Sequence, residues 1–118
     1  MSELVFIQNL EDRILKIEDK SDTSVSRKWV YFDNGHILSI IKGIETFRSM
    51  LNLYEVCVID GVDYKYCGLK LGILPNDNGQ GFLHESQVKI IAERLAELPK
   101  NPKLQKTSTK LENNEIEN

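Results

Sequence analysis

The chain has 118 residues, of which 41% are hydrophobic and 28% charged, and its net charge is −3. These values predict one soluble globular domain and exclude the strongly basic surface that nucleic-acid binding requires. No apolar run reaches the ~20 residues of a bilayer-spanning helix, and the N-terminus lacks the pattern of a signal peptide. We therefore expect a cytoplasmic protein with no membrane association.

The first 20 residues fit two kinds of structure. Ser2 is placed to cap a helix, and apolar residues follow at helical spacing. These apolar residues are Leu4, Ile7, Leu10, Ile14 and Ile17. The stretch 13–17 also alternates as a strand does, so both structures stay open, and the longer helical pattern is favoured.

Aromatic and β-branched residues dominate the middle of the chain, which predicts strands. Residues 29–32 and 36–41 form two strands around an Asp-Asn-Gly turn, because Asn-Gly tolerates the positive φ angles of a hairpin. A third strand covers 54–59. Residues 64–67 are predicted as a fourth strand that pairs with the third, and the connection 42–53 has room for a turn of helix.

The stretch HESQVKIIAERLAELP predicts an amphipathic helix that Pro99 ends. The polar residues 99–118 are predicted to be a disordered tail, which leaves a single domain over 1–98. Strands followed by one clear helix indicate the α+β class: a small antiparallel sheet of three to five strands with the C-terminal helix packed on one face. Because such a core is small, a homodimer is a possible source of further burial.

The residue types that carry catalysis or bind metals form no recognisable set. Two cysteines and two histidines match the ligand count of a structural zinc site but not its spacing. These are Cys57, Cys67, His36 and His84. No nucleophile, base and acid are patterned together either. We therefore expect a protein that is not an enzyme, with no catalytic residue, metal or cofactor.

The loop before the helix, LPNDNGQGFLHES, resembles a phosphate-binding loop, with Asn78, Gly79 and Gly81 as its candidate anion-binding residues. Such loops place glycine N–H groups directly before a helix. Here His84 stands where the dinucleotide pattern has its third glycine, and no Lys-Ser/Thr pair follows. A plain connection from sheet to helix is the favoured reading.

The aromatic hairpin is the strongest candidate for a binding surface. Trp29 and Tyr31 share one face of their strand, while Val30 and Phe32 share the other. One pair should pack beneath the C-terminal helix and the other should face solvent or a partner. Exposed Trp and Tyr are typical interface anchors, so Trp29, Tyr31 and the neighbouring His36 are the predicted partner-binding residues. The alternative is that the N-terminal segment covers the pair.

Three stretches together resemble a family of small phage and prophage accessory proteins: KWVYFDNGHILSIIKG, LYEVCVID and GFLHESQVKIIAERLAELP. The shared features are an aromatic hairpin around Asn-Gly, a Leu-Tyr-Glu strand, and a Gly-aromatic-Leu loop into a helix ending in Leu-Pro. The resemblance covers residues 27–99. It implies a phage-encoded protein in the host cytoplasm, with no catalytic residue or cofactor.

The leading hypothesis that follows is a binding protein that inhibits a host protein or a host defence system, in the manner of an anti-CRISPR protein. One alternative is an oligomeric sponge that sequesters a nucleotide signal at Gly79 and Gly81. Another is a structural component of the virion. In the first case we expect a host protein as partner.

Overall fold

The computed structural model describes residues 2–43 and 53–104. They form one five-stranded antiparallel sheet in the order β1-β2-β3-β4-β5, with a helix on one face. The strands are β1 (Ile14–Asp19), β2 (Val25–Phe32), β3 (His36–Gly43), β4 (Tyr54–Asp60) and β5 (Gln80–Leu83), and the helix α1 is Glu85–Glu97. The predicted α+β fold with its C-terminal helix is confirmed.

The core lies between the sheet and α1. The apolar stripe of the helix is buried as its spacing predicts, and Val88, Ala92 and Leu95 are fully enclosed. Val30 and Phe32 of β2 face this helix and are also fully enclosed. The β2 pair that packs beneath the helix is therefore Val30 and Phe32, which leaves Trp29 and Tyr31 on the opposite face.

The N-terminal segment contains both of the structures that its sequence allows. Ser2–Arg13 is a 3₁₀ helix whose φ/ψ angles leave the helical region at Leu4 and Ile7, and β1 follows directly. Leu4 and Ile7 are nonetheless buried in the core. The predicted turn of helix in the connection 42–53 falls mainly on residues 44–52, which lie outside the described residues.

The hairpin between β2 and β3 has a three-residue loop. Gly35 has a φ of +87° and donates its N–H to the carbonyl of Phe32 at 3.2 Å. Only the glycine takes the left-handed conformation, as in a hairpin that ends in a one-residue bulge. Asn34 keeps a negative φ. Its side chain has a different role.

The Asn34 side chain caps the C-terminus of α1 from another part of the chain. Its amide donates to the carbonyls of Leu95 at 2.8 Å and Leu98 at 3.0 Å, and the residue is 2% exposed. The last carbonyls of any helix have no partner within the helix. Asn34 supplies those partners and joins the hairpin to the helix.

The predicted fourth strand at residues 64–67 is wrong in extent. Only one bridge forms there, between Tyr66 and Ile59. The place beside β4 is taken mainly by β5, in which Leu83 lies opposite Tyr54. β5 was not predicted from the sequence, because Gln80-Gly81-Phe82-Leu83 is short and contains a glycine, and glycine disfavours strands.

The packed domain extends beyond the predicted boundary at residue 98. Asn101 is 2% exposed, donates its backbone N–H to the Asn34 carbonyl at 2.7 Å and donates its side-chain amide to Asp60 at 3.1 Å. Lys103 pairs with Asp60 at 2.9 Å and with Asp63 at 2.7 Å. Residues 99–104 therefore belong to the domain, because buried hydrogen bonds offset the ordering of a polar segment. Residues 105–118 lie outside the described part of the chain.

Asp60→Asn is expected to lower the free energy of unfolding at pH 7. Burial raises the pKa of Asp60, but Lys103, the N–H groups of Val62 and Asp63, and Asn101 together bring it from 3.8 down to about 2. That drop corresponds to roughly 2.5 kcal/mol. Because Lys103 is 42% exposed, water screens part of the attraction, and we expect a loss of about 1.5 kcal/mol.

The contribution of the Asp60 carboxylate to the free energy of unfolding should depend on pH in a definite direction. A carboxyl with a lowered pKa stabilises the folded state above its unfolded pKa and loses that contribution as the pH falls through its folded pKa. The difference between the wild type and Asp60→Asn, measured by urea unfolding, should therefore shrink between pH 4 and pH 2. A difference that stayed constant over this range would contradict the assignment. Asp63→Asn is the matched control, and its loss should be smaller because Asp63 is more exposed.

Candidate functional site

The sheet face opposite α1 carries a cluster of rings that we call the aromatic surface: Trp29, Tyr31 and Tyr64. The alternation of β2 places Trp29 and Tyr31 on this face. Tyr64 comes from the turn after β4 and stacks on Trp29, with ring centroids 6.2 Å apart and ring planes 23° apart. The Trp29 and Tyr31 rings are 6.3 Å apart and tilted by 50°.

Two lysines from the β1 region lie over these rings. The Lys16 ammonium group is 4.5 Å from the centre of the Tyr31 ring, and that of Lys20 is 4.8 Å from the Trp29 ring. Cation–π contacts of this kind contribute on the order of 0.5–1 kcal/mol at exposed sites. They hold the lysines over the outer faces of the rings and give the aromatic surface a cationic border.

Glu18 completes this border and orients one ring. It accepts a hydrogen bond from the Tyr31 hydroxyl. Burial, followed by the charge and hydrogen bond of Glu18, raises the pKa of Tyr31 to about 12. The same hydrogen bond is the main reason why the pKa of Glu18 is lowered, with Lys16 and Lys20 adding to it. Tyr31 is thus kept as a neutral donor in a set orientation.

Tyr64 has an unusual backbone for an aromatic residue. Its φ is +60°, which costs energy for a side chain of this size. Hydrogen bonds hold the turn: the Tyr64 N–H donates to the Asp60 carbonyl at 2.9 Å, and the Lys65 N–H donates to the Asp63 carboxylate at 3.0 Å. The ring is consequently presented with 57% of the residue exposed.

The structure brings together two of the three predicted partner-binding residues. Trp29 and Tyr31 lie in the aromatic surface as predicted, and the N-terminal 3₁₀ helix does not cover them, since its buried residues enter the core beside α1. The prediction was wrong for His36, which is 4% exposed. In the observed register Ile37 pairs with Tyr31, so Ile37 faces the aromatic side and His36 faces the helix side.

The place of Tyr64 in this surface was not predicted from the sequence. Its neighbour Tyr66 is also exposed, at 56%. The signal available was two tyrosines spaced by two residues directly after an Asp-Gly turn, which would put both rings on one side of an extended segment. Their contact with Trp29 depends on how the turn folds back, which no local pattern specifies.

The glycine loop has a structural role in this fold. Gly79 donates its N–H to the Asn76 side chain at 3.0 Å, and Gly81 lies inside β5. A Cβ at Gly79 would meet the Val56 carbonyl oxygen at 2.9 Å. Asn78 is exposed in the loop before β5. The helix begins only at Glu85, so the glycine N–H groups and the helix N-terminus are separated by a strand. This arrangement favours the connecting role over anion binding.

The remaining reactive side chains are mostly buried. Cys57 and Cys67 are both free thiols, and burial raises the pKa of each. In residues 2–43 and 53–104 no three His, Cys, Asp or Glu side chains are grouped as a metal site requires. Over the same residues, no helix combines the length and apolarity that crossing a bilayer demands.

Comparisons of the chain with protein-family models, with curated proteins and with solved structures give no match. The geometry of the aromatic surface and the chemistry of its border are the features of this chain that indicate a function.

Proposed function

We propose that this protein acts by binding a partner protein through the aromatic surface. The observation that carries the proposal is Tyr64, an exposed tyrosine held on a strained backbone and stacked on Trp29. Tryptophan and tyrosine dominate the residues that supply most of the energy of protein interfaces. Rings that are already packed on each other lose little conformational entropy on binding, so more of the contact energy appears as affinity.

The border of the aromatic surface indicates the chemistry of the partner. Lys16 and Lys20 contribute two positive charges and Glu18 one negative charge, and all three are solvent-accessible. A partner that presents carboxylates beside an apolar patch would match this border. A nucleic-acid partner would match less well, because the chain as a whole carries a charge of −3. An arginine-rich partner would match less well for a local reason, since its charges would meet the two lysines of the border.

The resemblance to phage accessory proteins supplies the biological setting of the proposal. It points to a protein of the bacterial host, or of its defence systems, as the partner, and to the host cytoplasm as the place of action. Inhibition would follow from occupying the partner's surface and needs no chemical step. The possible homodimer predicted from the sequence stays a prediction.

Tyr64→Ala is expected to weaken partner binding by about 30-fold, since truncating a central aromatic residue of an interface costs around 2 kcal/mol. The partner is first isolated from host lysate with the wild-type chain, and its affinity for each purified variant is then measured by calorimetry. Stability should change little, because the Tyr64 residue is 57% exposed.

The matched control is Ile90→Ala, which truncates a residue that is 55% exposed on α1. It should leave the affinity for the partner within about twofold of the wild type, which corresponds to a change in binding free energy of only about 0.4 kcal/mol. A partner that bound both variants as tightly as wild type would show that the aromatic surface is not the interface. Equal weakening by both variants would lead to the same conclusion.

A further inference from the structure

A cavity of about 380 Å³ lies between the turn that follows β4 and the segment after α1. One wall is formed by the segment 98–103, which the sequence alone assigned largely to a tail. The apolar part of the lining comes from Leu71, Leu98, Pro99 and Pro102. The volume is near the lower end of the range for small-molecule sites, so the cavity has room for a metabolite of mononucleotide size.

The charges around this cavity are mainly positive. Four lysines and two aspartates contribute to the lining, a balance of 4 − 2 = +2 in a chain whose net charge is −3. Both aspartates are paired with Lys103. The other three lysines form no ion pair with any described residue: Lys65, Lys70 and Lys100. Their charges are therefore available to an anion.

The cavity wall also contains a polar atom that the protein leaves unsatisfied. His36 lines the cavity and is 4% exposed, and its Nδ1 has no hydrogen-bond partner among residues 2–43 and 53–104. Buried polar atoms without a partner are rare in folded proteins, and each one calls for a specific explanation. The Nδ1 atom has almost no accessible surface, so a polar group of a ligand would reach it only after the imidazole ring turned toward the cavity.

We propose that this cavity binds a small organic anion: a phosphate or carboxylate attached to an apolar body. The anionic group would contact the unpaired lysines at the rim, and the apolar body would pack against the prolines and leucines. His36 forms part of the inner wall. No ring of the aromatic surface lines this cavity, although Asp63 and Lys65 of the lining flank Tyr64 in the chain. The ligand measurements do not require the partner protein, so failure of one proposal is distinguishable from failure of the other.

The test uses the full chain with AMP, octanoate and inorganic phosphate as probes. A ligand that binds only the folded state raises the melting temperature, so a rise with AMP or octanoate is expected, with dissociation constants then measured by calorimetry. Stabilisation by AMP alone would identify a phosphate ligand, and stabilisation by octanoate alone a carboxylate ligand. No change with either probe, or phosphate binding as tightly as both, would overturn the proposal.

Lys100→Glu tests the location of the site, with Lys89→Glu on α1 as a control that makes the same change of charge away from the cavity. Lys100→Glu should weaken binding of the stabilising probe by about tenfold or more, because it replaces an attraction to the anion by a repulsion. Lys89→Glu should weaken it by less than about twofold, since salt screens distant surface charges. Equal effects of the two variants would overturn the assignment to this cavity.

Discussion

Asn34→Ala is expected to lower the free energy of unfolding by about 3 kcal/mol, because it leaves buried carbonyls at the end of α1 without a donor. The amide reaches Leu95 at 2.8 Å and Leu98 at 3.0 Å, and its oxygen accepts the His36 N–H at 3.3 Å. A methyl group restores none of these hydrogen bonds. Urea unfolding followed by circular dichroism measures the loss.

Two further variants separate the hydrogen bonds from the turn itself. Asn34→Asp keeps the shape but replaces the donor by a carboxylate that faces carbonyl oxygens, so it should be at least as destabilising at pH 7. Asn9→Ala removes an exposed amide that contacts Glu93 at 3.2 Å, and it should change stability by less than about 0.5 kcal/mol. If Asn34→Ala cost no more than Asn9→Ala, the cap would not contribute to stability.

Gly79→Ala is expected to cost about 3 kcal/mol of stability, and the reason is steric as well as conformational. Its φ of +116° lies outside the regions that residues with a side chain adopt easily. The added methyl group would also approach the Val56 carbonyl oxygen to 2.9 Å, which forces β4 and the loop apart. Strain of this kind costs on the order of 1–3 kcal/mol before the clash is counted.

Gly72→Ala is the matched comparison because it shares the positive φ but not the contact. Its φ is +71°, and apart from its own chain neighbours no described residue has an atom within 4 Å of the added Cβ. It should cost about 1 kcal/mol, the usual penalty for a left-handed residue with a side chain. Thermal or urea unfolding of both variants decides the role of Gly79. Equal small losses would mean that the loop does not need this glycine for packing, and would reopen the anion-binding hypothesis.

Periodicity predicted the elements that bury an apolar stripe. Val88, Ile91, Ala92 and Leu95 recur at helical spacing, and such a stripe is stable only when it is buried. In the same way, the alternation in β2 predicted that Val30 and Phe32 share one face and Trp29 and Tyr31 the other, and the structure decided which face enters the core. Elements without a strong period were predicted less well. Apolar residues at helical spacing continue past residue 14 into β1, so the end of the N-terminal helix was not predicted. The four residues of β5 are too few to show a period.

The candidate sites depended on contacts between residues that are far apart in the chain. The Asn34-Gly35 turn was predicted from local chemistry, but only the packing of α1 against the hairpin makes Asn34 a helix cap. The burial of His36 follows from the strand register. The approach of Tyr64 to Trp29 follows from the turn after β4. In each case the decisive partner is more than 20 residues away or on another strand.

The sequence by itself determined the α+β class, the C-terminal helix and the aromatic hairpin, because spacing and turn chemistry act over a few residues. The tertiary structure decided which side chains stay exposed, how Tyr64 joins Trp29, and that residues 98–103 form one wall of a cavity that His36 also lines. Those outcomes depend on burial and on buried hydrogen bonds between distant segments. The free energy of such contacts exists only once the whole sheet and helix are in place.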